Sequence, residues 1–276
     1  MANSGTPRRK AVNVSACDPV WAQVRAEAEE IAAKEPGMAG FIIQTVLNEK
    51  TLEEAVCHRV ANRLDHGDVS GTLIRQAFEE VLEEDPEIGA AFRADIAAVF
   101  DRDPACHRFI EPILYFKGFH AIQTHRFAHR LWKAGRKDFA YYLQSRASEV
   151  LQVDIHPAVP IGRGIMLDHA HGLVVGETAV IEDDVSILQG VTLGGTGKVD
   201  GDRHPKIRRG VLIGAGAQIL GNIEIGACSR VASGSVVLRD VPPNVTVVGV
   251  PAKIVGKTEG SEPSRAMDQM LSNETD

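Results

Sequence analysis

The stretch IRRGVLIGAGAQILGNIEIGACSRVASGSVV, residues 207–237, decides the fold. An aliphatic residue returns at every sixth position, at Ile207, Ile213, Ile219, Ile225, Val231 and Val237. A strand repeats every two residues and an α-helix about every 3.6, so neither explains a strict period of six. A chain coiled as a three-sided prism does, because each six-residue face sends one aliphatic side chain inward. The pattern predicts a left-handed parallel β-helix built from hexapeptide repeats.

The same period extends upstream to Ile155, with one slip and one interruption. The slip adds two residues between Leu173 and Val175. Parallel strands of an ordinary α/β domain are the alternative, but each pair would need a crossover of roughly ten or more residues, usually a helix. No helical pattern lies between residues 155 and 250, so the β-helix is favoured.

The first part of the chain has helical spacing instead. Thr51 and Glu54 form the pattern of a capping box ahead of one helix, and Asp85-Pro86 starts another. Two more helices are predicted over residues 111–135 and 137–150. The fold class is therefore α+β. The predicted parts are an all-helical N-terminal domain over residues 1–150, a left-handed β-helix with an extended loop over residues 151–257, and a short flexible tail over residues 258–276.

Composition narrows the possible partners and location. The chain has 276 residues, 44% of them hydrophobic, and a net charge of −7, which argues against a general nucleic-acid or anionic-membrane binder. No run of 18 apolar residues and no signal-peptide core is present. The four cysteines are scattered, without a C-x-x-C pair, and indicate reduced thiols of a cytoplasmic protein. They are Cys17, Cys57, Cys106 and Cys228.

The interruption of the repeat, between Leu193 and Ile207, reads GGTGKVDGDRHPK. Insertions in a solenoid form loops on one side, often towards a binding site. The run Gly-Gly-Thr-Gly-Lys suggests a phosphate-binding loop, but Thr192 stands where the first glycine should be and Val199 where Ser or Thr should be. A nucleotide-binding loop is therefore not expected.

Asp154 and His169 are fifteen residues apart, close to the roughly eighteen residues of one prism turn. Their side chains can therefore face each other across adjacent coils or across a groove between subunits. A carboxylate beside an imidazole makes the histidine a general base near neutral pH. The alternative is that both are structural corner residues. Four histidines also suggest zinc, but their spacing does not give a clean three-histidine set, so no metal is expected. They are His156, His169, His171 and His204.

Several longer motifs make a more specific comparison possible. They are residues 154–157, 161–170, 175–179, 191–198, 201–206 and 249–252, with 101–104 and 114–120 upstream. Together they strongly resemble bacterial serine O-acetyltransferases. The resemblance covers residues 90–257 densely and the earlier helices more loosely.

The resemblance implies transfer of an acetyl group from acetyl-CoA to the hydroxyl of L-serine, the first step of cysteine synthesis. His169 would be the general base and Asp154 its partner, with direct attack and no acyl-enzyme. Arg203 and His204 would bind the serine carboxylate, and Asp103 and Asp168 its ammonium. The residues implied for CoA are Gly195, Ala215, Ser233 and Lys253.

The resemblance also implies partners. Homotrimers or dimers of trimers are expected, with L-cysteine as an inhibitor. Many such enzymes end in an isoleucine that binds O-acetylserine sulfhydrylase, whereas this chain ends in Asp276. Either that complex does not form, and it is doubtful here, or the chain as given is shorter than those relatives. The remaining alternatives are a hexapeptide-repeat O-acetyltransferase acting on a sugar, and a non-catalytic scaffold. The pair Asp103 and Arg203 suits a zwitterionic amino acid better than a neutral sugar, and a scaffold has no use for an Asp-His pair beside a basic insert.

Overall fold

The computed structural model describes residues 18–197, 200–258 and 262–269. Cys17 and Val199 lie outside these ranges, as does the expectation about Asp276. Within them, a helical N-terminal part is followed by a three-sided parallel β-helix. The predicted α+β architecture is confirmed. None of the described helices is long and apolar enough to cross a membrane.

Hydrogen-bonding caps begin several helices of the N-terminal part. As predicted, Thr51 Oγ1 accepts the backbone N–H of Glu54 at 3.2 Å, while the Glu54 carboxylate accepts the N–H of Lys50 at 2.7 Å. Between α2 and α3 the chain makes one π-helical turn over Ile43–Leu47. The helices are α1 (Pro19–Lys34), α2 (Pro36–Ile42), α3 (Leu52–Leu64), α4 (Gly71–Glu84), α5 (Glu87–Arg102), α6 (Ile110–Leu114), α7 (Lys117–Lys133) and α8 (Lys137–Leu151).

The single helix predicted over residues 111–135 is wrong, because the chain breaks at Tyr115-Phe116 into α6 and α7. The guanidinium of Arg59 donates two hydrogen bonds to the carbonyl oxygen of Leu114, at 3.0 and 2.7 Å. That carbonyl is thus satisfied by a distant side chain rather than by the next helical turn. The chain begins a new helix at Lys117, pointed towards the β-helix.

A buried ion pair joins the helices to the β-helix. Arg126 on α7 and Asp95 on α5 lie 2.7 Å apart, with side chains 8% and 0% exposed. Asp95 also accepts the backbone N–H of Ile165 at 2.9 Å, and Arg126 donates to the carbonyl of Gly162 at 2.7 Å. Both charged side chains also form hydrogen bonds with the backbone of the β-helix. The cost of removing them from water is therefore compensated only when the helical part and the β-helix are packed together.

Three sheets form the faces of the prism. Their orders are β1-β3-β6-β9-β12, β10-β7-β4 and β14-β13-β11-β8-β5-β2, with all neighbours parallel except the terminal hairpin of β13 and β14. The strands are β1 (Val153–Ile155), β2 (Met166–Leu167), β3 (Leu173–Val175), β4 (Val180–Ile181), β5 (Ser186–Ile187), β6 (Thr192–Gly194), β7 (Lys206–Ile207), β8 (Leu212–Ile213), β9 (Gln218–Leu220), β10 (Glu224–Ile225), β11 (Arg230–Val231), β12 (Val236–Val237), β13 (Val245–Gly249) and β14 (Ala252–Lys257).

The register of these strands confirms the coil length expected from the repeat. Val174 pairs with Thr192, and Gln218 with Val236, eighteen residues on in both cases. Thr192 pairs with Gln218, twenty-six residues on, because the insert lengthens that coil. The sixth-position aliphatic side chains fill the prism and are buried, apart from the partly exposed Ile161.

The C-terminal segment contains a short helix that the sequence did not predict. A short helix, α9 (Pro263–Ala266), packs against α5 and β8. Ser186 Oγ donates to the carbonyl of Ser264 at 2.9 Å, and Arg265 pairs with Asp184 at 3.1 Å. These anchors are polar side chains and backbone groups, which composition does not reveal, and the flexibility of the tail stays a prediction.

Candidate active site

One corner of the prism is two residues longer than its counterpart in the next coil. It runs from Leu167, at the end of β2, to Val174 in β3, seven positions on. One coil later, the equivalent corner runs from Ile187 to Thr192, five positions on. The slip in the sequence repeat is therefore a longer corner, and its extra length falls on residues 168–172.

The backbone of this corner is unusual. His169 and Ala170 have φ angles of 54° and 58°, in the left-handed region that residues with a Cβ rarely adopt, and Gly172 follows at 72°. Such a conformation costs on the order of 1–3 kcal/mol per residue and is found most often at functional sites. Here it turns the imidazole of His169 outward, where its side chain is 74% exposed.

The start of α7 packs directly against this corner. A Cβ atom on Gly118 would lie 2.0 Å from the carbonyl oxygen of Leu167, so only glycine fits. The preceding residue, Lys117, consequently reaches the corner, and its Nζ lies 2.9 Å from Nδ1 of His171.

A cavity of about 320 Å³ lies between α5, the start of α7 and the longer corner. Its charged and polar lining includes Asp103, Lys117, Asp168 and His169. The remaining lining is largely apolar: Val99, Ala105, Tyr115, Phe116, Gly118, Phe119, Met166 and Leu167. We call this cavity the acceptor pocket. It brings together three of the predicted site residues, one of them contributed by the helical part.

The two carboxylates of the acceptor pocket favour a cationic ligand group. Burial raises the pKa of the Asp168 carboxyl, and the charge of Asp103 raises it further, while His169 acts in the opposite direction. Asp168 Oδ1 lies 3.7 Å from His169 Nε2, beyond hydrogen-bonding distance. A ligand ammonium between the two carboxylates would relieve their repulsion.

Asp154 lies on β1, outside the acceptor pocket. Its Oδ1 accepts a hydrogen bond of 2.6 Å from Gln144 Nε2 on α8, beside an open groove that also includes Tyr141 and His156. Among the described residues, no hydrogen bond or ion pair joins Asp154 to His169. Their pairing as a catalytic dyad stays a prediction.

Arg203 and His204 are held at another part of the prism. Arg203 Nη2 pairs with Glu177 at 2.8 Å. Thr178 Oγ1 accepts the backbone N–H groups of both Arg203 and His204, at 3.0 and 3.1 Å. Neither side chain lines the acceptor pocket of its own chain.

The ring of His204 is fixed in one orientation. Its Nδ1 accepts the backbone N–H of Thr178 at 3.2 Å, and its Nε2 faces Gly176, where a Cβ would lie 2.0 Å away. Burial lowers the pKa of His204, as do the charges of Arg203 and Lys206. These causes favour the neutral ring, and acceptance of the Thr178 N–H at Nδ1 leaves the ring proton on Nε2.

Two of the predicted CoA contacts continue the corner that carries the acceptor pocket. In successive coils, the carbonyl groups of His171, Gln189 and Ala215 accept N–H groups of glycines at 2.7, 2.8 and 2.8 Å, the last donated by Gly234 beside Ser233. We call residues 171, 189, 215 and 233 the corner column. Gly195 lies against Arg203 instead, and Lys253 is exposed on β14.

Comparison with known proteins identifies the family of this chain. A family model described as serine acetyltransferase, N-terminal, matches residues 20–124, and a bacterial transferase hexapeptide model matches residues 204–239. The serine acetyltransferase of Salmonella typhimurium is 55% identical over 250 residues, 91% of this chain and 92% of that protein. This chain belongs to the serine acetyltransferase family.

Solved structures of serine acetyltransferases have the same fold. The enzyme of Brucella abortus in complex with coenzyme A is 62% identical, with a TM-score of 0.89 over 91% of this chain and 100% of that one. A serine acetyltransferase in complex with cysteine is 49% identical, with a TM-score of 0.90 over 94% of this chain and 100% of that one. The resemblance found in the sequence is confirmed.

Two residues at these sites were not predicted from the sequence, Lys117 and Gln144, and His171 was considered only as a possible zinc ligand. Lys117 lies inside one of the recognised motifs, but its role depends on the break before α7. Within the described residues, no group of three His, Cys, Asp or Glu side chains is placed to hold a metal ion.

Proposed function

We propose that this protein transfers the acetyl group of acetyl-CoA to the hydroxyl of L-serine, giving O-acetyl-L-serine and CoA in the first step of cysteine synthesis. The observation that carries the proposal is the acceptor pocket, where Asp103, Asp168 and His169 meet in a chain of this family. It is a small, partly apolar cavity with two carboxylates and one exposed imidazole.

His169 is the proposed general base. Its imidazole takes the proton of the serine hydroxyl while the oxygen attacks the thioester carbonyl carbon. The tetrahedral oxyanion then collapses, the C–S bond breaks, and the imidazolium returns the proton to the sulfur of CoA. Backbone N–H groups of Gly194-Gly195 are candidate donors to the oxyanion. Asp154 is proposed to stabilise the imidazolium.

The acceptor is a zwitterion, and its two charges need opposite partners. Asp103 and Asp168 are proposed to bind the ammonium. Arg203 and His204 are proposed to bind the carboxylate. Because neither lines the acceptor pocket of its own chain, a site completed by a neighbouring subunit is supported. We therefore propose a homotrimer, extended to a dimer of trimers through the helical part.

CoA is proposed to lie along the corner column, beside Ala215 and Ser233, and to approach the acceptor pocket from that side. Gly195 leaves room for the thioester, and Lys253 is a candidate for phosphate contact. L-Cysteine keeps the ammonium and carboxylate of serine, so it is proposed to inhibit by occupying the acceptor pocket. The location is proposed to be cytoplasmic.

Thiol release from acetyl-CoA, measured with L-serine, L-homoserine, L-threonine and a panel of sugars, tests the proposal. L-Serine should be the best acceptor by a wide margin. A sugar that outperforms L-serine would instead support an O-acetyltransferase for neutral hydroxyl acceptors, which has no use for paired carboxylates.

A further inference from the structure

We propose that Lys117 binds the carboxylate of the amino-acid acceptor and so contributes to acceptor specificity. This inference rests on the proposed function and extends it to a residue that neither the repeat nor the motif spacing assigned a role. The acceptor pocket of a single chain then has binding groups for both the ammonium and the carboxylate of the acceptor.

The position of Lys117 is fixed by the fold. Lys117 is the first residue of α7, and the close approach of Gly118 to the carbonyl of Leu167 sets where α7 begins. The Lys117 side chain is partly buried and lines the acceptor pocket together with Asp168 and His169. It therefore lies beside the corner where the acceptor hydroxyl must be deprotonated.

The charge of Lys117 is not neutralised by an ion pair. Among the described residues, no carboxylate lies within 4 Å of its Nζ, which instead lies 2.9 Å from Nδ1 of His171. Arg203, by contrast, already pairs with Glu177. Burial also lowers the pKa of the Lys117 ammonium. A carboxylate ligand would compensate this desolvation and find the ammonium already oriented by His171.

The beginning of α7 reinforces the preference for an anion. The backbone N–H groups of Lys117, Gly118 and Phe119 donate no hydrogen bond to any described residue, and all three residues line the acceptor pocket. α7 has 17 residues, so its N-terminal end carries the partial positive charge of a full helix dipole. The helix dipole of α7 and the ammonium of Lys117 both place positive charge at this end of the acceptor pocket, and both favour an anionic ligand group there.

The acceptor pocket thus offers a cation opposite two carboxylates. Asp103 and Asp168 suit an ammonium, and Lys117 suits a carboxylate. An acceptor with both groups is bound at both ends, which orients its hydroxyl towards His169. A neutral acceptor gains neither contact. Arg203 and His204 from a neighbouring subunit then add a second set of donors to the same carboxylate.

The test compares three variants with the wild-type protein in steady-state acetyl transfer. Lys117→Met should raise KM for L-serine about 10- to 100-fold, the scale of a lost charge-assisted hydrogen bond. KM for acetyl-CoA should stay within about twofold. Lys117→Arg should recover much of the loss. Lys137→Met is the matched control, since Lys137 is the exposed first residue of α8 and lies outside the pocket.

A second acceptor separates a binding role from a structural one. L-Serine methyl ester keeps the ammonium and hydroxyl but lacks the carboxylate. Lys117→Met should reduce kcat/KM for L-serine and leave that for the ester within about threefold. An equal loss with both acceptors, or an unchanged KM for L-serine, would overturn the inference. If Lys117→Met does not fold, Lys117→Gln makes the same comparison. Absence of L-serine acetylation by the wild-type protein would instead count against the proposed function.

Discussion

The backbone of Gly118 faces the carbonyl oxygen of Leu167 so closely that a Cβ atom on residue 118 would lie 2.0 Å from that oxygen. Leu167 directly precedes Asp168 and His169 in the longer corner. This contact therefore links the start of α7 to the candidate base.

Gly118→Ala should destabilise the protein by about 1–3 kcal/mol, because the methyl group forces α7 away from β2. It should also lower kcat/KM for L-serine, since the lining of the acceptor pocket moves. Thermal unfolding and acetyl-transfer kinetics measure the two effects. Gly40→Ala is the control, because it lies in α2 with nothing within 4 Å of its Cβ position. A Gly118→Ala variant as stable as Gly40→Ala would contradict the prediction.

His169→Ala should lower kcat by about 10²- to 10⁴-fold, as expected when a general base is lost. Alanine is also strained at the positive φ of this position, so His169→Asn provides a control that tolerates the backbone. Both variants should be similarly inactive in the thiol-release assay. Asp154→Asn should lose less, since the imidazole remains. More than half of the wild-type activity in His169→Asn would rule out the role.

Arg203→Ala should raise KM for L-serine and leave KM for acetyl-CoA nearly unchanged, because its guanidinium is proposed to bind the acceptor carboxylate. Glu177→Gln removes only the ion-pair partner of Arg203 and should have a smaller effect. Initial rates over a grid of both substrates separate the two constants. A rise confined to acetyl-CoA would place Arg203 in the CoA site instead.

L-Cysteine should inhibit competitively with L-serine, because it differs only by a thiol in place of the hydroxyl. Raising the L-serine concentration should therefore restore full activity at a fixed concentration of L-cysteine. Inhibition that persists undiminished at saturating L-serine would indicate a separate site.

The free energy of unfolding should fall as the pH is lowered from about 6.5 towards 4. His120 and His125 are buried, each with Nε2 donating to a backbone carbonyl, and burial lowers the pKa of each to about 3. In this range the unfolded chain binds protons that the folded protein does not, so acid favours unfolding by up to about 2.7 kcal/mol per pH unit for the two groups. Urea unfolding at pH 7.5, 6 and 5 measures the slope, and His125→Gln should reduce it.

The sequence predicted features that repeat and missed those that depend on distant contacts. The six-residue period located the β-helix because each face needs an aliphatic side chain inside. The break before α7 could not be predicted, since it depends on Arg59 reaching Leu114. The docking of α9 was missed for the same reason. Asp103 follows the end of α5 and Asp168 lies in the longer corner of the prism. No local sequence pattern predicts that these two positions are close, so only the family motifs indicated it.

The longer corner implies a conflict between a regular, unstrained β-helix and the presentation of the candidate base. Removing two residues from positions 168–172 would give this coil the same length as its uninterrupted neighbours and eliminate two strained backbone positions. Selection for thermostability alone would favour such a deletion, and so would idealised redesign of the repeat. The resulting solenoid would lose the outward turn that presents His169. In this scaffold, the irregular coil is the part that a protein engineer should leave untouched.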